Sequence, residues 1–147
     1  MSAYQLRPAT AADYDFLYDV QRETMCAYVE QTFGPWDETF QRGLFDSEFD
    51  PADFQVIVVD GVDAGLLLLE AYETHWFLDK IYLLPAYQNR GIGERLLESI
   101  IERARQAHMP IMLRVLKVNP AQRLYRRLGF RVLEEHDVRY IMQRDPD

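Results

Sequence analysis

The residues best suited to do chemistry run from Leu84 to Gly93, Leu84-Pro85-Ala86-Tyr87-Gln88-Asn89-Arg90-Gly91-Ile92-Gly93. They stand between an apolar run, Trp76 to Leu84, and an amphipathic run that opens at Ile92. Strand, glycine-bearing loop and helix start, in that order, make an anion site. The first N–H groups of a helix lack internal partners, and the helix dipole adds partial positive charge there. Glycines let a phosphate approach the backbone with no Cβ in the way. Arg90 contributes a planar, permanent cation. These residue types could hold a pyrophosphate. A plain tight turn into a helix would use the same glycines, so the loop alone leaves both readings open. It is not a P-loop, because the chain has no Gly-x-x-x-x-Gly-Lys-Ser/Thr. It is not a dinucleotide fingerprint, because Leu96 stands where the third glycine belongs.

A second group lies downstream, in Asn119-Pro120-Ala121-Gln122-Arg123-Leu124-Tyr125-Arg126-Arg127-Leu128-Gly129-Phe130. Asn119 before Pro120 reads as an N-cap followed by proline at the first helical position, and Gly129 falls just past the end. Ala121, Leu124, Tyr125 and Leu128 form the stripe expected to face inward. Tyr125 could therefore be plain core, or a tyrosine whose hydroxyl seeks a partner.

Other elements must position these groups. Tyr4 to Arg7 alternates as a short strand. Thr10 with Asp13 resembles a capping box, opening a helix in which Tyr14, Leu17, Tyr18, Gln21, Met25 and Tyr28 recur at helical spacing. Gly34-Pro35 marks a loop between Glu30 and Trp36. Asp37 to Phe45 predicts a second short helix, with Phe40, Leu44 and Phe45 on one side. Phe54 to Val59 is a β-branched strand followed by the hairpin signal Asp60-Gly61. Ala64 to Tyr72 and Trp76 to Leu84 are further strands. In the next helix Ile92, Leu96, Leu97, Ile100, Ile101 and Ala104 share a face, and Pro110 ends it. Ile111 to Leu116, Phe130 to Leu133 and Val138 to Met142 complete the strands. This order predicts an α+β fold with a mixed sheet, an antiparallel meander in its middle and a strand–helix–strand crossover after it.

The 147 residues predict a single domain, 1–147, large enough for a substantial core. A net charge of −8 argues against a nucleic-acid or anionic-membrane partner. No apolar run reaches a membrane span, and the N-terminus has no signal pattern. The single cysteine, Cys26, excludes an intrachain disulfide framework and fits a cytoplasmic location. It has no recognisable histidine partner that would make it an acyl-carrying nucleophile. His75, His108 and His136 are not at ligand spacing, so no metal is expected.

Taken together, Gln88-x-x-Gly91-x-Gly93 after a strand ending Leu84-Pro85, and the Asn119 to Phe130 segment, resemble the GNAT superfamily of acyl-CoA-dependent N-acyltransferases. The resemblance covers nearly the whole chain in element order, and roughly Ile81 to Phe130 in residue detail. It implies a mixed, mostly antiparallel sheet of about seven strands flanked by about four helices, with acetyl-CoA as donor. By motif position, Gln88, Asn89, Arg90, Gly91, Ile92 and Gly93 would hold the pyrophosphate. Ile81, Tyr82 and Leu83 would pair their backbone with the pantetheine amides, and an amide near Leu83 could stabilise the oxyanion. Asn119 would hydrogen-bond the pantetheine arm, and Tyr125 would protonate the leaving thiolate. Asp79 and Glu70, acids in predicted strands, are the candidate bases, although most strand carboxylates face solvent. Tyr28, Glu30, Trp36, Asp37 and Glu38 lie where the family binds its acceptor. Their acidic and aromatic character suits a cationic amine and equally an ordinary acidic surface. The implied activity is acetyl transfer to a primary amine on a small molecule. The alternatives are a protein lysine or N-terminus as acceptor, a non-catalytic CoA sensor, or a nucleotide-dependent transferase. A homodimer is compatible with each.

Overall fold

The computed structural model describes residues 3–147. Seven strands and four α-helices follow in the order β1 (Tyr4–Pro8), α1 (Tyr14–Phe33), α2 (Glu38–Glu48), β2 (Phe54–Val59), β3 (Val62–Ala71), β4 (Trp76–Leu83), α3 (Ile92–Gln106), β5 (Ile111–Leu116), α4 (Ala121–Arg127), β6 (Arg131–Glu135) and β7 (Arg139–Arg144). The sheet order is β1-β2-β3-β4-β5-β7-β6. Pairing is parallel at β4–β5 and antiparallel at β1–β2, β2–β3, β5–β7 and β6–β7. The expected α+β class and mostly antiparallel sheet are therefore observed. The chain divides into two compact units. One runs up to Leu68 and includes Lys80–Ile92; the other comprises Leu69–Asp79 and Gly93–Asp147.

In the first unit, Asp60 and Gly61 both adopt positive φ, 50° and 79°, as a two-residue hairpin turn between β2 and β3 requires. Phe54, Val56, Leu66 and Leu68 alternate toward one sheet face. There they form a buried cluster with Leu17, Tyr18 and Val20 of α1 and Phe45 of α2. Phe45 meets the rings of Tyr14 and Tyr18 edge-on, each at 5.5 Å. The expectation that Phe40, Leu44 and Phe45 share an inward side is corrected here. Phe45 is buried, but Phe40 and Leu44 are 59% and 44% exposed. Phe45 is one residue beyond Leu44 and so is rotated roughly 100° around the helix from the Phe40–Leu44 row. Asp37 caps α2 by accepting the Phe40 N–H at 3.0 Å.

In the second unit, Leu96, Leu97, Ile100 and Ala104 of α3 are buried, as are Ile111, Leu113 and Val115 of β5 and Met142 of β7. Glu94 in the first turn of α3, and Arg103 and Arg105 in the last, complement the helix dipole. Leu113 pairs with Met142 across β5 and β7.

Arg7 ties the start of the chain to the first hairpin. Its guanidinium donates to both Asp13 oxygens, at 3.0 and 2.8 Å, and to Asp63 at 2.9 Å. Asp13 also accepts the Thr10 N–H at 2.8 Å, completing the expected capping box. Arg7 holds the Asp13 carboxyl at a pKa of about 2. Because that value is depressed below the unfolded-chain value of about 3.9, the pair stabilises the fold above pH ~4. The contribution disappears as pH falls through about 2. Asp13→Asn should therefore lower stability by about 1 kcal/mol at pH 7. Urea unfolding should show the two proteins converging as pH drops from roughly 5 toward 2; a gap that persists in acid would contradict this.

Candidate functional site

Leu84-Pro85 leads from β4 into a 3₁₀ turn, Pro85–Tyr87, in which the Tyr87 N–H reaches the Leu84 carbonyl at 2.9 Å. The Gln88 side chain then turns back and donates from Nε2 to the Leu83 carbonyl at 2.8 Å, fastening the loop to the strand it leaves. Asn89 and Gly91 take left-handed φ values of 62° and 76°. A Cβ built on Gly91 would meet nothing within 4 Å. Its backbone conformation, rather than crowding, requires glycine, and the space beside it is open. Ile92, 1% exposed, anchors the helix start. The Arg90 guanidinium lies 5.4 Å over the Tyr87 ring.

Ile81, Tyr82 and Leu83 are half-buried on β4. A Cβ on Gly65 of β3 would lie 2.1 Å from the Tyr82 carbonyl oxygen, so the close approach of these strands depends on glycine. The Leu84 N–H donates to the Ala64 carbonyl at 2.9 Å beside it.

In the second unit, Asn119 Oδ1 accepts the Ala121 N–H at 2.9 Å. The side chain caps α4 as expected, although the helix begins one residue later than the Asn-Pro signal indicated, with Pro120 at its N-cap. Its oxygen being engaged, Asn119 has amide N–H donors to offer a ligand. The Gln122 amide supports this corner by donating to the Lys117 carbonyl at 2.7 Å. The expected stripe of α4 is its less exposed side, with Arg123, Arg126 and Arg127 exposed on the other. Leu124, Tyr125 and Leu128 are half-buried, and no residue of this helix is fully buried. A helix of 7 residues makes few core contacts and is held at its ends. At the C-terminal end Gly129 takes φ 100°, and Arg144 Nε donates to the Leu128 carbonyl at 2.8 Å. The Tyr125 ring lies 5.8 Å from Phe130. Arg127 pairs with Glu94, and Arg126 lies over Tyr140 at 5.6 Å.

Asp79 is half-buried on β4, and Glu70 on β3 accepts the Tyr72 hydroxyl at 2.7 Å. In the first unit the candidate acceptor residues gather in part. Glu30 accepts the Trp36 backbone N–H at 2.9 Å, and Trp36 Nε1 donates to Glu38 at 3.0 Å. Tyr28 is half-buried on α1, and its carbonyl accepts the Thr32 hydroxyl at 2.8 Å. Glu38 also faces Arg42 at 3.5 Å and Arg22 at 3.6 Å. Burial alone would raise its pKa, but Tyr18, Trp36 and the two arginines outweigh that and hold the carboxyl below its ordinary value. Arg42 is itself seated over the Tyr18 ring at 4.1 Å. Glu38 is thus the centre of a charge cluster rather than a lone carboxylate.

Sequence reasoning missed Lys80. It is 8% exposed on the inward side of β4, with Nζ 3.4 Å from Glu48 of α2. The signal was its place two residues after Leu78 in an alternating strand, where a charge must find a partner. Burial, then Glu30, pushes the Cys26 thiol above its ordinary pKa, which opposes thiolate chemistry. Among the described residues no group of three or more His, Cys, Asp or Glu side chains is placed to hold a metal ion. No helix there is long and apolar enough to cross a membrane.

The chain belongs to the Acetyltransferase (GNAT) family, whose model matches residues 17–130. It is similar to the PaiA N-acetyltransferase of Thermoplasma acidophilum, solved in complex with coenzyme A, at TM-score 0.77 and 19% identity over 97% of this chain and 99% of that one. It is also similar to the ribosomal-protein-S18-alanine N-acetyltransferase of Escherichia coli, at TM-score 0.70 and 18% identity over 99% and 95%. A third similar structure is N-acetylglutamate synthase of Neisseria gonorrhoeae complexed with coenzyme A and N-acetyl-glutamate. It gives TM-score 0.67 and 16% identity, over 100% of this chain but 36% of that one. Comparison with curated protein sequences finds no match.

Two glycines with different reasons for being glycine separate by experiment. Gly65→Ala should destabilise the protein by about 3 kcal/mol or more, because backbone must move. Gly91→Ala should cost only about 1 kcal/mol, the penalty for a left-handed L-residue. Chemical denaturation of both variants checks the ranking, and equal losses would refute it.

Proposed function

We propose that the chain transfers an acetyl group from acetyl-CoA directly to a primary amine on a small molecule. The observation that carries this reading is the pairing of two motifs in one family member. One is a loop whose backbone turns left-handed at Asn89 and Gly91 before α3. The other is a short helix capped by Asn119 that carries a half-exposed Tyr125. The N–H groups from Gln88 to Gly93 suit a pyrophosphate, with Arg90 beside them as a cation. The backbone of Ile81, Tyr82 and Leu83 would pair with the pantetheine amides, and the Asn119 amide would donate to the same arm. The CoA-bound similar structures support this assignment by fold. The lone cysteine is in keeping with a cytoplasmic setting.

The chemistry then follows. An alkyl amine with a pKa near 10 is mostly protonated at neutral pH, so a proton must leave before attack. Asp79 or Glu70 would receive it through water. The nitrogen lone pair forms a bond to the thioester carbonyl carbon, and a strand amide near Leu83 would stabilise the resulting oxyanion. The C–S bond then breaks, Tyr125 would give its phenolic proton to the departing thiolate, and the second nitrogen proton, lost as the amide forms, would pass through water to restore the phenol. General-acid help of this kind contributes ~10²–10⁴-fold. The acceptor would meet the Tyr28, Glu30, Trp36 and Glu38 region. Glu38 has its charge balanced there by Arg22 and Arg42, so ring contact with Trp36 and the Glu30 carboxylate would do more of the recognition.

Thiol release from acetyl-CoA across an amine panel tests the reading. Acceptor-dependent release is expected, and CoA binding without any such turnover would favour a sensor. Calorimetry should show CoA strongly preferred over ATP, and the reverse order would defeat the donor assignment. Tyr125→Phe should lower kcat by ~10²–10⁴-fold with little change in acetyl-CoA affinity. An unchanged kcat would remove Tyr125 from the role of acid.

A further inference from the structure

The acid at the start of α3 is not explained by a donor site at that helix end. Glu94 follows Gly93 directly and lies in the first turn of the helix. The N–H groups of that turn lack partners within the helix, and the dipole gives them partial positive charge. An acid there stabilises the helix itself. For a bound pyrophosphate the same acid is a competitor. Its carboxylate draws on the same dipole and repels the phosphate oxygens.

The structure shows what meets this carboxylate. Arg127, in the last turn of α4, donates to the Glu94 carboxylate through its guanidinium. The neighbouring Arg126 is placed elsewhere, over the Tyr140 ring at 5.6 Å. The side chains of Arg127 and Glu94 are 62% and 40% exposed. As a stabilising contact such a surface pair is worth little. Its effect on a nearby anion is of another kind, because a lone negative charge becomes a neutral pair.

We infer that Arg127 is a positioning residue for the donor. It holds the Glu94 carboxylate and cancels its charge, so that the loop from Gln88 to Gly93 can accept a pyrophosphate. The inference rests on the acetyl-CoA reading and goes beyond it, since Arg127 acts through Glu94 and not on the ligand. Two other roles are separable. If Arg127 bonded a phosphate itself, removing Glu94 would not make good its loss. If the pair only clipped α4 to α3, uncharging it would change stability and leave the salt dependence of CoA binding alone.

Calorimetric titration of the full chain with CoA, at about 50 mM and about 1 M salt, tests this. At low salt Arg127→Gln should weaken CoA binding about 3- to 10-fold. Glu94→Gln should bind CoA at least as tightly as the unmodified chain. The double variant has the unmodified net charge and should return to within about twofold of its affinity. The Arg127→Gln loss should fade in high salt, where the screening length falls to about 3 Å. All three variants should keep Tm within about 2 °C, because the pair is exposed. An unchanged affinity in Arg127→Gln overturns the proposal. So does a loss that Glu94→Gln fails to restore, one that persists undiminished in high salt, or a fall in Tm that tracks the loss of affinity. An unmodified chain that binds no CoA at either salt defeats instead the donor assignment on which the proposal rests.

Discussion

The passage from β4 into α3 is the constraint on which the candidate site depends. The chain must stop pairing at Leu83, turn, and enter a helix by Ile92. Pro85 fixes one turn of 3₁₀ geometry, and Gln88 hydrogen-bonds back to the Leu83 carbonyl. Two left-handed residues, Asn89 and Gly91, then rotate the N–H groups before the helix begins. Each device removes freedom from the loop. The carboxamide of Gln88 is therefore a fastener as well as a motif position. The open space beside Gly91 shows that its backbone conformation alone calls for glycine.

Much of this was legible in the sequence because local chemistry dictates it. The 3.6-residue pattern from Ile92 to Ala104, the Asp60-Gly61 turn and the Thr10–Asp13 box each bring their own structural cause, and each is observed. What failed depended on tertiary context. An eleven-residue helix such as α2 offers several rotations about its axis, and the ring cluster around Phe45 selected one that leaves Phe40 and Leu44 outside. The partner of Lys80 was invisible for the opposite reason. The burial of Lys80 depends on Glu48, more than thirty positions away in sequence. No local pattern encodes such a partner.

The same limit applied to Glu38. As a letter in the sequence it was an acid beside a tryptophan, fit for a cation. In the fold it holds Arg22, Arg42 and Trp36 at once. The charge at the α1–α2 turn is consequently a property of the cluster.

The helix bearing Tyr125 is secured by hydrogen bonds at both ends. A tyrosine locked in a core could not reach a ligand, and one on a frayed helix would not be aimed. α4 has no fully buried residue, so packing does little to fix it. Asn119 secures its first turn, and Arg144, reaching from β7, secures the Leu128 carbonyl at its end. The Phe130 N–H closes onto the Tyr125 carbonyl at 2.9 Å, fixing the backbone of the tyrosine itself. Orientation is thus supplied by hydrogen bonds at the helix termini, which leaves the phenol ring half-exposed. The cap at Asn119 also fixes the direction of its amide N–H groups, because the oxygen on the same carboxamide is held by the Ala121 N–H.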